Sequence, residues 1–473
     1  MRITVRGNTL LLRPWSQQLV PSCSYSQRDK QRGPGAKQGY KYTRQNLFVE
    51  EIGHDGVKTA LVHSGLLPRI LRACKRYKID AELDDRREPI PEALLSQVQP
   101  LREFQPESLA AVIHSYFGII NCPTGSGKSF LIKQICRVYP HLKILVTTRS
   151  AEVRGRLHDD LADNCKQSVS ELGGSKRLRL DSDIIVATDK SLHKIPGDWP
   201  DLVLYDEVHR SGSLAVANEL GRFSTARRFG FSASPEGRGN NSDRLVEALF
   251  GPSIIEVDYK SAEKAGIVSP IEVRLVNVAS RRQFKFKSNV ALERHGYWRH
   301  VARNKKIAEV ANAFPPDAQT LIMVKTAEHV LHLHRLLPHF KIVHRGIDNT
   351  KWKQFLEMGI VADQDEHLRE VDVESMRKSF EANDLKKVIC TPVWNEGVDF
   401  THLKVLIRGD GQTSPIECTQ IPGRLSRIGH KPVGILVDFI DHFGDWYLHR
   451  SHNRRAQYHG KGWYLVDNWD PSW

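Results

Sequence analysis

The sequence contains one glycine-rich run that closes on a lysine and a serine, PTGSGKS, directly after the apolar stretch FGIINC. In a turn of this kind between a strand and a helix, backbone N–H groups and the helix N-terminus surround phosphate groups. Lys128 would reach the β- and γ-phosphates of a nucleotide, and Ser129 would hold Mg²⁺. The strict pattern has Gly or Ala where this chain has Cys122. For the run taken alone, a chance glycine-rich turn is the alternative.

Two adjacent carboxylates, Asp206 and Glu207, follow the apolar run LVLY, 78 residues after Lys128. An apolar strand that ends in this way places both acids at the carboxyl edge of a sheet, where α/β proteins bind ligands. Asp206 would contact Mg²⁺ through water, and Glu207 would position and deprotonate an attacking water. An ordinary charged strand end would explain the pair by itself. Together with the glycine-rich run, the pair predicts phosphoryl chemistry.

A second pair of charged residues, Arg424 and Arg427, stands in the run QIPGRLSR near the other end of the chain. Arginines at positions i and i+3 fall on the same side of a helix, so two guanidinium groups are held side by side. Such a pair suits an anion. The run itself does not identify that anion.

These residues depend on elements that two series of short apolar runs predict. The first series is FGIINC, LKILVTT, DIIVAT, DLVLYDE and RRFGFSAS, and the second is TLIMVK, FKIVH, KVICT, VLIRGD and GILVDFI. Strands that are apolar throughout and alternate with helical patterns indicate parallel sheets buried on both faces. We therefore predict two α/β lobes in tandem, over residues 96–265 and 266–473.

The first 95 residues have a different character and predict a small α+β accessory module. MRITVRGNTLLLRP alternates as an edge strand does. SYSQRDKQRGPGAKQGYKYTRQ is typical of an exposed basic loop, and GLLPRILRACKRYKI has apolar residues at helical spacing. The module is either a solvated accessory domain or a DNA-binding one, and its basic loop either inserts at a DNA junction or is simply solvated.

Composition narrows the partners and the compartment. The 473 residues carry a formal net charge of +14, which favours polyanionic partners, nucleic acid above membrane. The 7 cysteines form no CxxC pair, which argues against a disulfide framework and a zinc site and predicts a cytoplasmic protein. No apolar run approaches the ~18 residues that span a bilayer.

As an ordered set, the motifs resemble those of superfamily 2 helicases and translocases. Asp-Glu-Val-His after the glycine-rich loop is the first of them, and the others are LREFQPESL, LVTTRS, IIVATDKSL, GFSASPEGR, VICTPVWNEGVDF and QIPGRLSR. The resemblance covers roughly residues 98 to 440. It implies two RecA-like lobes, ATP and Mg²⁺ as cofactors, and hydrolysis in a cleft that closes between the lobes.

The resemblance also implies roles for individual residues. Arg424 and Arg427 would meet the γ-phosphate as arginine fingers, and Gln420 would sense the nucleotide. Nucleotide binding is implied for Arg102, Gln105, Thr124, Gly125, Ser126, Gly127, Gly397 and Asp399. Nucleic-acid contact is implied for Thr147, Arg149, Thr188, Lys325 and Thr391. Coupling between the two is implied for His209, Ser232 and Ser234, where Ser234 replaces the family's threonine.

Within the superfamily, three stretches resemble the XPB-like and UvsW-like branch. They are SASPEGRGNNSDRLVEALFGPSIIEV, RNKKIAEVANAF and the closing segment ILVDFIDHFGDWYLHRSHNRRAQY. The small N-terminal module fits the phage branch-migration helicases of that branch. This implies a protein, in the host cytoplasm if phage-encoded, that remodels branched DNA at forks, Holliday junctions or D-loops, with RNA as a further partner in R-loops. Compact size favours a monomer on DNA, with self-association as the alternative.

Three other functions share some or all of these motifs. A double-stranded DNA translocase without strand separation would have every one of them. An RNA helicase would differ in its preference for RNA over DNA. A nucleic-acid scaffold with a decayed ATP site is the non-enzymatic alternative, and the intact Lys128, Asp206 and Glu207 argue against it.

Overall fold

A computed structural model describes residues 1–30, 40–233, 243–280, 286–394, 400–414, 417–418, 422–427 and 433–470. The described chain divides into two compact units. The first unit comprises Met1–Pro123 and Gly127–Val257. The second comprises Thr124–Ser126 and the described residues from Asp258 onward.

The N-terminal part of the first unit forms a mixed sheet, a separate hairpin and one helix. Its elements are β1 (Arg2–Arg6), β2 (Thr9–Arg13), β3 (Ser24–Lys30), β4 (Tyr40–Asn46), β5 (Phe48–Ile52), β6 (Lys58–His63), α1 (Leu67–Arg76) and β7 (Glu82–Asp85). The sheet has the order β5-β6-β2-β1-β7, and β3 pairs only with β4. The predicted accessory module of mixed α and β structure is confirmed.

Two details of that module differ from the sequence prediction. The expected edge strand is a hairpin inside the sheet, since Gly7, at φ +52°, and Asn8 form a turn between β1 and β2. The expected basic loop is antiparallel hairpin structure over β3 and β4, whose register pairs Ser24 with Asn46. Period-two apolar patterning is weak in this stretch, so charge masked the strand signal.

The remainder of the first unit is a seven-stranded parallel sheet with helices. Its strands are β8 (Phe117–Asn121), β9 (Ile144–Thr148), β10 (Val169–Leu172), β11 (Ile184–Thr188), β12 (Leu202–Asp206), β13 (Arg227–Ser232) and β14 (Ser253–Glu256). The order is β10-β11-β9-β12-β13-β8-β14. Every residue of β9, β11, β12 and β13 is buried, which accounts for their apolar runs.

Among the described residues, five helices of the first unit accompany this sheet, a sixth follows in the second unit, and several begin at side-chain caps. Ser150 and Ser213 accept hydrogen bonds from the backbone N–H groups of Val153 and Val216. Such caps satisfy donors that a helix N-terminus leaves without partners. The helices are α2 (Gln105–Ile113), α3 (Lys128–Val138), α4 (Ala151–Asn164), α5 (Leu214–Arg222), α6 (Asp243–Phe250) and, in the second unit, α7 (Tyr259–Lys264).

The second unit is built on another seven-stranded parallel sheet. Its strands are β15 (Ile271–Val278), β16 (Thr320–Met323), β17 (Lys341–Val343), β18 (Lys387–Cys390), β19 (Val405–Arg408), β20 (Gly434–Asp441) and β21 (Tyr464–Val466). The order is β17-β18-β16-β19-β20-β15-β21. Its further helices are α8 (Asn289–Glu293), α9 (Val301–Asn312), α10 (Ala327–His334), α11 (Asn349–Glu357), α12 (Val373–Glu381) and α13 (Asp445–Gly460).

The two parallel sheets confirm the tandem α/β architecture. All ten apolar runs of the prediction become strands, from β8 in FGIINC to β20 in GILVDFI. The first unit ends at Val257 and the main part of the second begins at Asp258, so β15 (Ile271–Val278) lies in the second unit and its sheet. In the described part of the chain, no helix is both long and apolar enough to cross a membrane.

Hydrogen bonds and an ion pair join the N-terminal module to the seven-stranded parallel sheet and its helices within the first unit. The side chain of Asn8 donates to the carbonyls of Phe223 and Ala226, at 2.9 and 2.7 Å. Arg69 pairs with Glu247 of α6 at 2.7 Å. The accessory module is therefore a fixed part of this unit.

Candidate functional site

The glycine-rich turn lies between β8 and α3, as the sequence predicts. Gly125 and Gly127 both have φ at +87°, a conformation that favours glycine. A Cβ atom at Gly127 would approach Gln105 Nε2 to 2.8 Å, so a side chain there would collide. The turn is thus a backbone-lined cradle at the N-terminus of α3, which suits a phosphate group.

Lys128 begins α3 and turns back over this loop. Its Nζ donates to the carbonyls of Cys122 and Pro123, at 3.1 Å each. Both acceptors are neutral, whereas phosphate oxygens are charged and accept stronger hydrogen bonds from an ammonium group. Lys128 is therefore placed to bind phosphate.

Asp206 and Glu207 stand at the carboxyl end of β12, near the centre of the sheet. The strands β8, β13 and β12 are neighbours and run in parallel, so their carboxyl ends share one edge. Asp206 is buried and its carboxylate accepts a hydrogen bond from Glu207 N at 3.1 Å. Strand order, rather than closeness in sequence, brings these acids to the edge that carries Lys128.

The electrostatics of this edge suit a cation. Burial, and to a lesser extent the neighbouring Glu207 carboxylate, raise the pKa of Asp206 to about 7 against the opposing charge of Lys128. A divalent cation would relieve the cost of ionising Asp206. The cradle, the lysine and the paired acids therefore fit a nucleoside triphosphate with Mg²⁺, for which Ser129 and Asp206 are the candidate metal-holding residues.

His209 links the acids to the end of the neighbouring strand. Its Nδ1 lies 3.2 Å from Glu207 Oε2 and 3.0 Å from Ser232 Oγ, and the ring is buried. Ser232 is the last residue of β13. The structure thus brings together three residues that the sequence analysis selected for catalysis and coupling.

Gln105 lies beside the glycine-rich turn. It is buried at the start of α2, its Oε1 accepts a hydrogen bond from Arg102 N at 2.9 Å, and its amide faces Gly127. Phe104, just before it, has φ at +57°. Gln105, for which nucleotide binding is implied, therefore lies beside the predicted phosphate cradle.

The predicted nucleic-acid contacts lie at strand ends and differ in exposure. Thr147 is the last residue but one of β9, Thr188 is the last residue of the neighbouring strand β11, and both are buried, whereas Arg149 is exposed. In the second unit, Thr391 is buried behind β18 and Lys325 pairs with Glu293 at 2.7 Å. Arg149 and Lys325 are the two cations of this set, and each has a partly or fully exposed side chain.

Arg424 and Arg427 lie in and directly after a 3₁₀ turn, Pro422–Ser426, rather than on an α-helix. A 3₁₀ turn has three residues per turn, so positions i and i+3 are eclipsed and the two arginines still share one side. Arg424 is buried, donates to the Trp394 carbonyl at 2.8 Å and lies over the Phe400 ring. The predicted residues Ser234, Gly397, Asp399 and Gln420 lie outside the described residues.

Sequence analysis missed the charged groups buried in the second unit. Arg303 pairs with Asp441 at 2.9 Å, and Arg454 of α13 pairs with Asp438 at 2.8 Å. Glu293, which holds Lys325, was also missed. The partners belong to different elements of the second unit, and the fold brings them together.

Comparison with known proteins gives the same assignment as the motifs. Residues 99–237 match the family described as Type III restriction enzyme, res subunit. The DNA 3'-5' translocase XPB2 of Sulfurisphaera tokodaii is 23% identical over 411 residues, covering 78% of this chain and 88% of that protein. Both matches support a superfamily 2 helicase or translocase related to XPB. The family named in the sequence analysis is confirmed, including its relation to XPB.

Solved structures support the fold of this superfamily 2 protein. A putative HsdR subunit of a type I restriction enzyme from Vibrio vulnificus aligns at a TM-score of 0.57 with 18% identity, covering 89% of this chain and 79% of that one. The T4 protein UvsW aligns over 98% of both chains, at 17% identity and a TM-score of 0.44. The tandem RecA-like lobes are the feature shared with the HsdR subunit.

Proposed function

We propose that this superfamily 2 protein is an ATP-hydrolysing motor that moves on DNA and remodels branched DNA. The observation that carries the hydrolytic part is the group formed by Lys128, Asp206, Glu207 and His209 at one edge of the first sheet. Few functions other than phosphoryl transfer need a lysine-bearing phosphate cradle next to two acids.

The residues of the site divide the reaction among them. Lys128 exchanges its two carbonyl acceptors for phosphate oxygens and binds the nucleotide. Mg²⁺, when bound near Ser129 and Asp206, supplies positive charge that offsets the charge of the phosphates. Glu207 accepts the proton of the attacking water, and His209, at 3.2 Å, fixes the orientation of that carboxylate.

The second unit would contribute Arg424 and Arg427. Arginine fingers typically raise the rate of phosphoryl transfer by ~10³ to 10⁵. Their support is the eclipsed spacing on the 3₁₀ turn, together with the family motif in which they stand. Closing and opening of the ATP site would then drive the motor along its strand, with His209 and Ser232 transmitting the state of the site.

DNA is the favoured track, and branched DNA the favoured substrate. The formal net charge of +14 favours a polyanion, and the XPB2 relative is named for translocation on DNA. The accessory module is held by hydrogen bonds to the part of the first unit that contains the proposed ATP site. It carries the β3–β4 hairpin, whose sequence is rich in Lys, Arg and Tyr. An element of this kind, fixed to the motor, suits a DNA junction.

The test is ATP hydrolysis without nucleic acid and with single-stranded DNA, linear duplex, a four-way junction or RNA at matched nucleotide concentration. We expect the strongest stimulation from the junction, with release of strand products. Lys128→Ala should abolish hydrolysis, whereas the exposed Lys166→Ala should not. Hydrolysis by Lys128→Ala at the wild-type rate would contradict the site assignment.

A double-stranded DNA translocase without strand separation is the second candidate. The name of the XPB2 relative, a DNA translocase, favours it. Equal stimulation by linear duplex and junction, with no strand product, would establish this reading over branch remodelling. Stimulation by RNA alone would overturn the DNA assignment and leave only the motor.

A further inference from the structure

Glu293, a buried carboxylate in the second unit, lies between two parts of the proposed motor. Its Oε2 is 2.7 Å from Nζ of Lys325, the predicted contact to a nucleic-acid backbone. The Lys325 side chain is 37% exposed and that of Glu293 only 10%, so the lysine is the end that a phosphate can reach.

The other oxygen of Glu293 faces a different segment. Oε1 accepts from Gln412 Nε2 at 3.4 Å and lies 3.7 Å from Nη2 of Arg450, on α13. Arg450 Nη2 also donates to the carbonyl of Gly411 at 2.9 Å. Glu293 therefore contacts Lys325 through one oxygen. Its other oxygen faces the Gln412 amide and the Arg450 guanidinium, which itself binds the Gly411 carbonyl.

Residues 411–413 are held by their main-chain carbonyls. Besides Arg450, Arg408 donates to the Gln412 carbonyl at 3.0 Å and Gln457 donates to the Thr413 carbonyl at 2.9 Å. Residues 415–416 and 419–421 lie outside the described residues. Cys418, between them, donates from Sγ to the Gln412 carbonyl at 3.7 Å, and the 3₁₀ turn with Arg424 and Arg427 follows in the sequence. A shift of these carbonyls would alter the start of the segment that carries both arginines.

We propose that Glu293 is a positioning residue that transmits DNA contact at Lys325 to the segment carrying Arg424 and Arg427. The inference rests on the proposed function, since it presumes DNA-stimulated ATP hydrolysis. It adds a regulatory connection inside the second unit, from the track-binding cation to the catalytic arginines.

The physical basis is competition for one lysine. A DNA phosphate attracts Lys325 away from Glu293. The carboxylate, still buried, then needs another cation, because an unpaired buried charge is costly. Arg450 is the nearest, and moving towards Glu293 loosens its hydrogen bond to the Gly411 carbonyl.

The experiment compares Glu293→Gln with wild type in full-length protein, using steady-state ATP hydrolysis titrated with single-stranded DNA and with the four-way junction. Removing the charge frees Lys325, so the KM for DNA should fall about twofold to fivefold, as for loss of one exposed ion pair. The ratio of DNA-stimulated to basal kcat should fall about fivefold or more, the lower end of typical coupling between sites. A merely structural defect would instead raise KM and lower kcat together.

Gln412→Met separates the contact of Glu293 with Lys325 from its contact with residues 411–413. It keeps the pair of Lys325 and Glu293 and removes the amide, so the stimulation ratio should fall while the KM for DNA stays at the wild-type value. If Glu293→Gln fails to fold, this variant decides, and an unchanged stimulation ratio then overturns the inference.

Glu328→Gln is the matched control. Glu328 is also buried and pairs with Arg294 and Arg299, but the structure shows no contact between it and residues 411–413. The control should keep the wild-type stimulation ratio. A wild-type ratio in Glu293→Gln overturns the inference alone, whereas absence of DNA stimulation in the wild-type protein overturns the proposed function as well.

Discussion

Glu207, the residue proposed to activate water, has an unusual backbone. Its φ of +57° lies in the left-handed region, which residues other than glycine rarely adopt. Such a conformation costs on the order of 1–3 kcal/mol and persists only where surrounding contacts fix it. The hydrogen bond from Glu207 N to Asp206 and the nearby ring of His209 are contacts of that kind. The strain falls on the residue that the chemistry needs most.

Glu207→Gln tests the role of this carboxylate as a base. The amide keeps the size of the side chain but cannot accept the proton, so kcat for ATP hydrolysis should fall by about 10²- to 10⁴-fold. Binding of a fluorescent ATP analogue, measured by anisotropy, should change little. The control is Glu219→Gln on α5, which should retain activity. Loss of nucleotide binding together with activity would count against a role as base.

Asp206 should make stability depend on pH. Its folded pKa of about 7 exceeds the ordinary value of 3.8, so the neutral carboxyl stabilises the fold below about pH 4, and this contribution is lost as the pH rises through about 7. Asp206→Asn is neutral throughout. Its melting temperature relative to wild type should therefore rise from pH 4 to pH 8, without nucleotide or Mg²⁺. The exposed Asp181→Asn should show no such trend, and a constant difference for Asp206→Asn would contradict the shift.

At the scale of elements, sequence patterns predict the strands best where burial is complete on both faces. The apolar runs of β9, β11 and β12 predict buried strands without an alternative. The sequence motifs that follow these strands are therefore placed correctly at the strand ends. The hairpin of β3 and β4 was missed, because its strands carry charge where a buried strand would carry apolar side chains. Glu293 could not be found from sequence, since its partners Lys325, Gln412 and Arg450 belong to other elements.

Docking of the accessory module can be weakened at Asn8. Asn8→Ala removes the hydrogen bonds to the Phe223 and Ala226 carbonyls, which should lower stability by about 1–3 kcal/mol. We expect a lower melting temperature and faster tryptic cleavage between residues 86 and 102. Asn46→Ala, at an exposed position of β4, is the control. Equal cleavage rates for both variants would show that Asn8 does not hold the module.

At the scale of the whole molecule, the positive charge should govern binding to DNA. Neutralising phosphates with Lys and Arg releases counterions, so the logarithm of affinity falls linearly with the logarithm of salt concentration. Between 50 and 200 mM salt we expect the KM for DNA in the ATPase assay to rise by at least about tenfold. The KM for ATP should change far less. Equal salt dependence of both constants would contradict DNA binding through the charge of this chain.

The position of β15 in the second sheet has a consequence for synthesis on the ribosome. Its neighbours β20 and β21 are the last two strands that the structure describes, whereas the strands of the first sheet end with β14. The first unit can therefore fold while the second is still being translated. In the nascent chain, both edges of β15 stay unpaired until β20 and β21 have been synthesised. During this interval we expect the second unit to be most prone to aggregation, because unpaired strand edges can pair with other chains.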